Sequence, residues 1–259
     1  MFVCDNIRAI PRDWNAESYD QISAPQQQWG VAVVERLRVD GDETVLDAGA
    51  GTGRVTDMVL ERLPRGHVIA VDGSPSMCDT ARERLPAERT TVICSDLVEL
   101  TLEQPVDAIV STATFHWIRD HDALFERMRA AVRPGGQFVA QCGGEGNIDR
   151  VRAIGERIAA ATPYAEHLAA IGPLWNYASV ERTQARLQAA GFTVEACWLQ
   201  PAPATPPRPR EFLETVIFGP YVERLPEPLR PRFLDDTMAL LGDPLVLDYV
   251  RLNWDAVAH

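Results

Sequence analysis

The segment Val45–Gly53 reads VLDAGAGTG and joins a buried-strand pattern to a glycine-dense turn that begins with an acid. Gly49, Gly51 and Gly53 carry no Cβ, so the turn can take positive φ and a ligand can approach the main chain. Val55 to Arg62 then follow a helical pattern, which makes the whole a βα unit. A dinucleotide fingerprint, GxGxxG, would need its last glycine where Arg54 stands, and a fixed carboxylate at Asp47 would repel a pyrophosphate. The turn therefore favours a cation over NAD. A second acid, Asp72, ends the next apolar run, His67 to Val71, where it can accept hydrogen bonds from ribose hydroxyls. S-adenosylmethionine carries a sulfonium, an ammonium and no phosphate, which suits such a seat. The competing explanation is a purely structural turn after the first strand of a doubly wound sheet.

Composition narrows the classes. A chain of 259 residues with 46% hydrophobic residues can bury one large core. Cys4, Cys78, Cys94, Cys142 and Cys197 show no CxxC pairing, which fits scattered thiols in a reducing cytoplasm. Neither a basic, apolar leader nor an apolar run long enough to span a bilayer is visible, so no membrane is expected. The net charge of -12 opposes binding to nucleic acid and favours a small-molecule partner. All 25 basic residues are arginine, which excludes Schiff-base lysine chemistry and a lysine-bearing phosphate loop. A monomer or homodimer is expected.

Apolar runs alternate with helical patterns along the chain, which predicts an α/β, doubly wound parallel sheet with helices on both faces. Strands are expected at Thr44–Asp47, His67–Val71, Thr91–Cys94, Ala108–Ser111 and Gln137–Gln141, with Pro134, Gly135 and Gly136 as the turn before the fifth. After Gly144 the pattern is helical to about Ala190, Gly191 closes that helix, and Phe192–Leu199 reads as a sixth strand. Five prolines between Pro201 and Pro209 mark a linker. A helical stretch from Arg210 to Leu241 follows, broken by prolines, and Leu245–Val257 reads as a last strand. One domain, 1–259, is expected, with residues 30–145 as cofactor-binding core and residues 1–29 and 210–242 as a helical cap over the substrate.

Ligands of open α/β sheets lie beyond the carboxyl ends of the strands. Those ends carry Asp47 and the glycines; then Asp72, Gly73, Ser74 and Met77; then Asp96 and Leu97; then Ala113, Phe115, His116 and Trp117. Met77 either packs on an adenine face or fills core, and Asp96 either accepts from the exocyclic amine or caps a turn. The fourth end, STATFHW, is where a substrate would meet the methyl group.

The set DAGAGTG, AVDGS, CSDL and FHW, with PGG before the fifth strand, resembles the S-adenosylmethionine-dependent methyltransferases of the seven-stranded Rossmann-like type over residues 12–145. Within them, WNAESY near the N-terminus and FHW are most similar to the trans-aconitate and juvenile hormone acid methyltransferases. The resemblance implies strand order 3214576 with strand 7 antiparallel, and O-methylation of a small molecule, often a carboxylate. It also implies contacts of Asp47 with the methionyl amine side, Asp72 with the ribose and Asp96 with the adenine. Trp14 and Tyr19 would close over the cofactor by the same family pattern, or else staple the N-terminal helix to the core.

The element that grips an amine for base methylation is replaced here by STATF, which disfavours nucleobases. A carboxylic acid is already ionised at neutral pH and needs alignment and desolvation rather than a base. A phenol, alcohol or carbon acid, as in natural-product C- or O-methylation, would need a base, and His116 is the histidine placed for it, against orienting the substrate or only packing. A non-catalytic S-adenosylmethionine-binding regulator is the alternative from another class. No metal site is expected, because His116 and His121 stand off one helical face. Arg12 and Arg182 are conceivable carboxylate partners. The aromatics Trp175, Tyr177, Phe212, Phe218 and Tyr221 equally allow an apolar substrate.

Overall fold

The computed structural model describes Asp13 and residues 24–259. Its strands are β1 (Thr44–Ala48), β2 (His67–Asp72), β3 (Thr90–Cys94), β4 (Val106–Thr112), β5 (Val132–Gly143), β6 (Phe192–Pro201) and β7 (Val250–Ala258). They form one seven-stranded sheet in the order β3-β2-β1-β4-β5-β7-β6. Neighbours are parallel up to β5, and β7 runs antiparallel to both β5 and β6. This is the order the resemblance implies.

Alternation within the strands separates two cores. Leu46, Ala48, Ile109, Phe138, Ala140, Leu252 and Trp254 share one cluster, while Val45, Val68, Ala70, Val110 and Val139 share another, as residues one step apart must point to opposite faces. Helices α1 (Ala24–Arg36), α2 (Arg54–Arg62) and α3 (Pro75–Arg84) cover the second. On the first lie α4 (His121–Ala131) and, beyond a further pair of short helices, α7 (Val180–Ala190). Side-chain caps start three of these helices: Ser74 accepts from Met77 N, Asp120 from Ala123 N, and Ser179 from Arg182 N. Gly191 closes α7 at φ 97°.

The segment after Gly144 is not one helix. It divides into α5 (Asp149–Ala159), α6 (Ala165–Leu168) and α7, with irregular chain at 169–179. Pro163 and Pro173 interrupt it, because proline has no N–H and pushes the preceding residue out of the helical region. Beyond the linker come α8 (Pro209–Phe212), a π turn (Leu213–Ile217), α9 (Gly219–Arg224) and α10 (Leu229–Leu241). A third apolar cluster gathers Ile148, Val151, Tyr164 and Leu168 with Phe212, Phe218, Phe233 and Leu234. The helical layer at this end of the sheet thus draws on residues 148–168 as well as 212–241.

The last strand begins later than its pattern suggests. Leu245, Leu247 and Tyr249 alternate correctly but join the helical cluster, and Leu247 pairs only with Ala204. Pairing with β6 starts at Val250 opposite Pro201. The fifth strand begins earlier, at Val132, and the Pro134-Gly135-Gly136 turn is an irregularity in its pairing with β4, with Gly135 at φ 77°.

An aromatic group locks the turn after β4 to β5, α4 and β7. Phe115 stacks on Trp254 at 5.7 Å, and Phe125 and Phe138 meet Trp254 edge-on at 5.8 and 5.6 Å. The Trp254 indole N–H is buried without a partner. Trp254→Ala should therefore cost about 3–5 kcal/mol in chemical denaturation. Trp254→Phe, which keeps a ring and removes the unsatisfied N–H, should cost under about 1.5 kcal/mol.

Candidate functional site

The turn after β1 is anchored by Gly49 and Ala50, whose N–H groups donate to Val71 O at 2.8 and 2.9 Å. Its glycines have different reasons to be glycine. A Cβ on Gly49 would lie 2.1 Å from Thr114 Oγ1, and one on Gly53 would lie 2.9 Å from Leu85. A Cβ on Gly51, at φ +55°, would meet nothing within 4 Å. Two glycines thus permit packing, while the third presents bare main chain to open space. Thr114 Oγ1 also donates to Gly49 O at 3.2 Å, a contact that sequence reasoning missed because it joins the ends of two strands.

Both acids expected at the site lie beside this turn. Asp72 accepts from Gly51 N on Oδ2 and from Ser74 N on Oδ1, each at 2.9 Å. Burial pushes its carboxyl up, against these bonds and one from Gly73 N–H. Asp47 is fully buried and accepts from Thr56 Oγ1 at 2.7 Å on Oδ2. Its Oδ1 is buried without a partner. Burial pushes the Asp47 carboxyl up to about 7; the Thr56 bond opposes this and the charge on Asp72 adds to it. An orphaned buried carboxylate oxygen and an open glycine face are the features a cationic adenosyl ligand requires, so the residues present fit it.

The neighbouring strand ends are mixed. Ser74 Oγ donates to Asp13 Oδ1 at 2.6 Å, and Ser76 N donates to the same oxygen at 3.0 Å. The Ser74 bond, with that from Ser76, holds the Asp13 carboxyl below its usual range. Met77 is buried on the first turn of α3. Asp96 accepts from Val98 N at 3.1 Å and so caps its own turn, while Leu97 packs into the core. Ala113 takes φ 55°, a left-handed conformation, and donates to Gln141 O at 2.8 Å. Trp14, Tyr19 and Arg12 lie outside the described residues.

The Phe115–Trp117 element is a single 3-10 turn. Phe115 is fully buried in the aromatic group around Trp254. The side chain, expected in a substrate wall, packs in the core. His116 stacks on Tyr177 at 5.8 Å, and Trp117, Trp175 and Tyr177 continue the ring cluster. Gly143 N–H donates to His116 Nδ1 at 3.2 Å. Burial, then the nearby Arg251 and His121, drive the His116 pKa well below the usual value. The ring is therefore neutral, with its proton on Nε2, and offers a donor rather than a basic lone pair. His116, expected as a base, as an orienting group or as packing, is thus held at Nδ1 by the main chain of β5.

Arg182 is exposed on α7. Arg251 was not singled out, yet it is 2% exposed on β7 and close enough to His116 to depress its pKa. Its one sequence signal is an arginine inside the apolar run VRLNWDAVA. Among the described residues no group of three or more His, Cys, Asp or Glu could hold a metal ion.

The family described as "Methyltransferase domain" matches residues 45–136. A malonyl-[acyl-carrier protein] O-methyltransferase of Priestia megaterium is 26% identical over 140 residues, 53% of this chain and 51% of that one. A trans-aconitate 2-methyltransferase of Methylobacterium nodulans is 29% identical over 185 residues, 71% and 70% of the two chains. Apart from the latter, the chain spans about half the length of the first curated relatives it matches, 51% and 44% for the two malonyl-[acyl-carrier protein] enzymes. Among solved structures, the Bacillus YcgJ protein superposes with TM-score 0.60 at 14% identity, covering 90% of this chain and 98% of that one. A Mesorhizobium loti S-adenosylmethionine dependent methyltransferase gives 0.56 at 23%, covering 89% and 97%. These structural likenesses show the shared fold.

The two glycine environments separate experimentally. Gly49→Ala should cost roughly 3 kcal/mol from overlap and positive φ together. Gly51→Ala should cost only about 1 kcal/mol from its left-handed backbone, so it should fold with a modest loss of Tm. Asp47 tests the electrostatics. Its folded-state pKa is raised, so the native state holds a proton the unfolded chain has released, and stability falls as pH rises from 3.8 to about 7. Asp47→Asn should remove that loss and be the more stable form at pH 8 by on the order of 2–4 kcal/mol in urea unfolding.

Proposed function

We propose, starting from the match of residues 45–136 to the family described as "Methyltransferase domain", that this protein methylates an oxygen of a small carboxylic acid with S-adenosylmethionine as methyl donor. Bound at the glycine turn, S-adenosylmethionine supplies an electrophilic methyl group on a sulfonium. Asp47 and the Gly49–Gly51 main chain take its methionyl end, Asp72, Gly73 and Ser74 its ribose, and Met77, Asp96 and Leu97 its adenine, with Ala113 lining the methyl position. Residues 30–145 form this cofactor-binding core, and residues 1–29 and 210–242 cap the substrate.

The observation that carries the acceptor class is the hydrogen bond from Gly143 N–H to His116 Nδ1. A neutral histidine whose Nδ1 lone pair accepts from Gly143 N–H and whose Nε2 carries the proton is a poor base for a phenol or alcohol. An acceptor that is already an anion needs no base, and a carboxylic acid is one at neutral pH. The chain's task is then to hold the acceptor oxygen in line and out of water, with His116 Nε2–H as an orienting donor and Trp117 and Tyr177 as apolar walls. The names of the malonyl-[acyl-carrier protein] and trans-aconitate relatives support the same class. Small-molecule action also fits the net charge of -12, which repels nucleic acid. No helix among the described residues is long and apolar enough to cross a membrane. We place the protein in the cytoplasm, as a monomer or homodimer.

The decisive assay is S-adenosylhomocysteine formation with carboxylic acids and phenols side by side. Acids should be methylated and phenols not, and Asp72→Ala should abolish cofactor binding in calorimetry. Turnover of phenols with a step that titrates away in His116→Gln would reverse the reading. Binding of S-adenosylmethionine without methylation of any acceptor would make the protein a regulator. Because a cationic ligand needs Asp47 ionised, affinity should rise about tenfold per pH unit up to the Asp47 pKa near 7 and level off above it. Asp47→Asn should flatten that profile.

A further inference from the structure

Arg251 lies on β7 opposite Gly143 of β5, at the carboxyl edge of the sheet that also carries Ala113 and His116. Its surroundings fix the guanidinium. Arg251 Nε donates to Gln141 Oε1 at 3.4 Å, and the plane sits 4.3 Å over the Trp29 ring and 5.8 Å from that of Tyr249. Gln141 is itself held, its Nε2 donating to Asn253 Oδ1 at 2.9 Å, and Asn253 Oδ1 also accepts from Arg36 Nη1 at 3.2 Å. Arg36 pairs with Asp255 at 3.3 Å. A chain of polar groups thus runs from α1 through β7 and β5 to one buried arginine, whose charge reaches His116, Cys142 and Tyr177.

A planar fork oriented this way, out of water, binds a carboxylate in its own plane. The strand order says which carboxylate. In the sheet β7 is three places from β1, about 14 Å at the usual strand spacing, whereas Ala113 and the glycine turn border the methyl position. Chemistry agrees, because an arginine gripping the attacking oxygen would draw off the electron density it needs. We propose that Arg251 anchors a second carboxylate of the acceptor, one that is not methylated, and so selects dicarboxylates over monocarboxylates. The proposal rests on the carboxylic-acid function above and adds to it the residue that reads the far end of the substrate.

The test compares matched pairs, glutarate with valerate and isophthalate with benzoate, in wild type, Arg251→Gln and Arg251→Lys. Wild type should favour the dicarboxylate of a usable pair by on the order of 10- to 150-fold in kcat/KM, the range for hydrogen bonds to a charged group. Arg251→Gln should bring that ratio near one by raising the dicarboxylate KM far more than the monocarboxylate KM, and Arg251→Lys should restore part of it. Calorimetry of the dicarboxylate into enzyme saturated with S-adenosylhomocysteine should show the same loss. A wild-type ratio near one overturns the proposal without any variant. So does a ratio that survives in Arg251→Gln, or an equal fall for both members of a pair. Methylation of acids with no dependence on Arg251 removes this proposal alone. Failure of every acid to be methylated removes the carboxylic-acid function and this anchor with it.

Discussion

Two carboxylates at the ends of adjacent parallel strands, Asp47 buried and Asp72 half-buried, are the constraint around which this site is arranged. Asp72 is accommodated by three main-chain N–H groups, those of Gly51, Gly73 and Ser74. Asp47 has one hydroxyl, that of Thr56, and an oxygen left over. Neither acid can move away from the other. Asp47 pairs with Ala70 and Ala48 with Val71 in the β1–β2 ladder, and slipping that register by one residue would turn every core side chain of β1 to the wrong face. The glycine turn follows from the same demand: its main chain must curl back far enough for Gly51 N–H to reach Asp72. What remains is a local excess of negative potential, a cost in the free protein that a bound cation offsets.

The end of β4 is shaped by its contact with that turn. Thr114 occupies the space a Cβ on Gly49 would need. The residue before it, Ala113, adopts a left-handed backbone that costs an L-amino acid about 1 kcal/mol. In exchange Ala113 N–H pairs with Gln141 O and the chain turns at once into Phe115–Trp117. Phe115 drives this element into the core against Trp254, and His116 and Trp117, on the same turn, are thereby held toward Tyr177 and Trp175. A fully buried ring thus fixes the orientation of its polar neighbour on the same turn.

The first half of the site was legible because its determinants are local. VLDAGAGTG and AVDGS each contain strand, turn and acid within a few residues; the alternation of apolar runs pointed to a doubly wound sheet, and its strand order came from the family resemblance alone. Long-range features were hidden. Nothing near Phe115 in sequence distinguishes it from His116, since the choice between core and cleft depends on Trp254, far along the chain. The state of His116 depends on Gly143 N–H, and Arg251 sits within a run whose neighbours are apolar core. The division of residues 145–190 into three helices was missed because its apolar spacing stays helical across Pro163 and Pro173. Leu245–Tyr249 misled for a subtler reason: they keep the period of a strand while packing on helices.

The two ends of the site carry opposite charge, and on the proposed reading that polarity bears on the reaction itself. An anion attacking a cationic methyl donor loses charge on the way to the transition state, so water, which solvates the separated charges best, opposes the reaction. Fixed groups in a buried site can replace that hydration without following the reactants back to the ground state. Acids at the ends of β1 and β2 suit the donor, and Arg251 on β7 suits the far end of the acceptor. Between them a positive histidine would be harmful twice, by repelling the donor and by quenching the nucleophile. Burial and the charge of Arg251 together keep His116 neutral, and the Gly143 bond to Nδ1 leaves it a single modest donor at Nε2. The same depression that removes His116 from acid–base chemistry therefore makes it a suitable neighbour for an anion that needs no base.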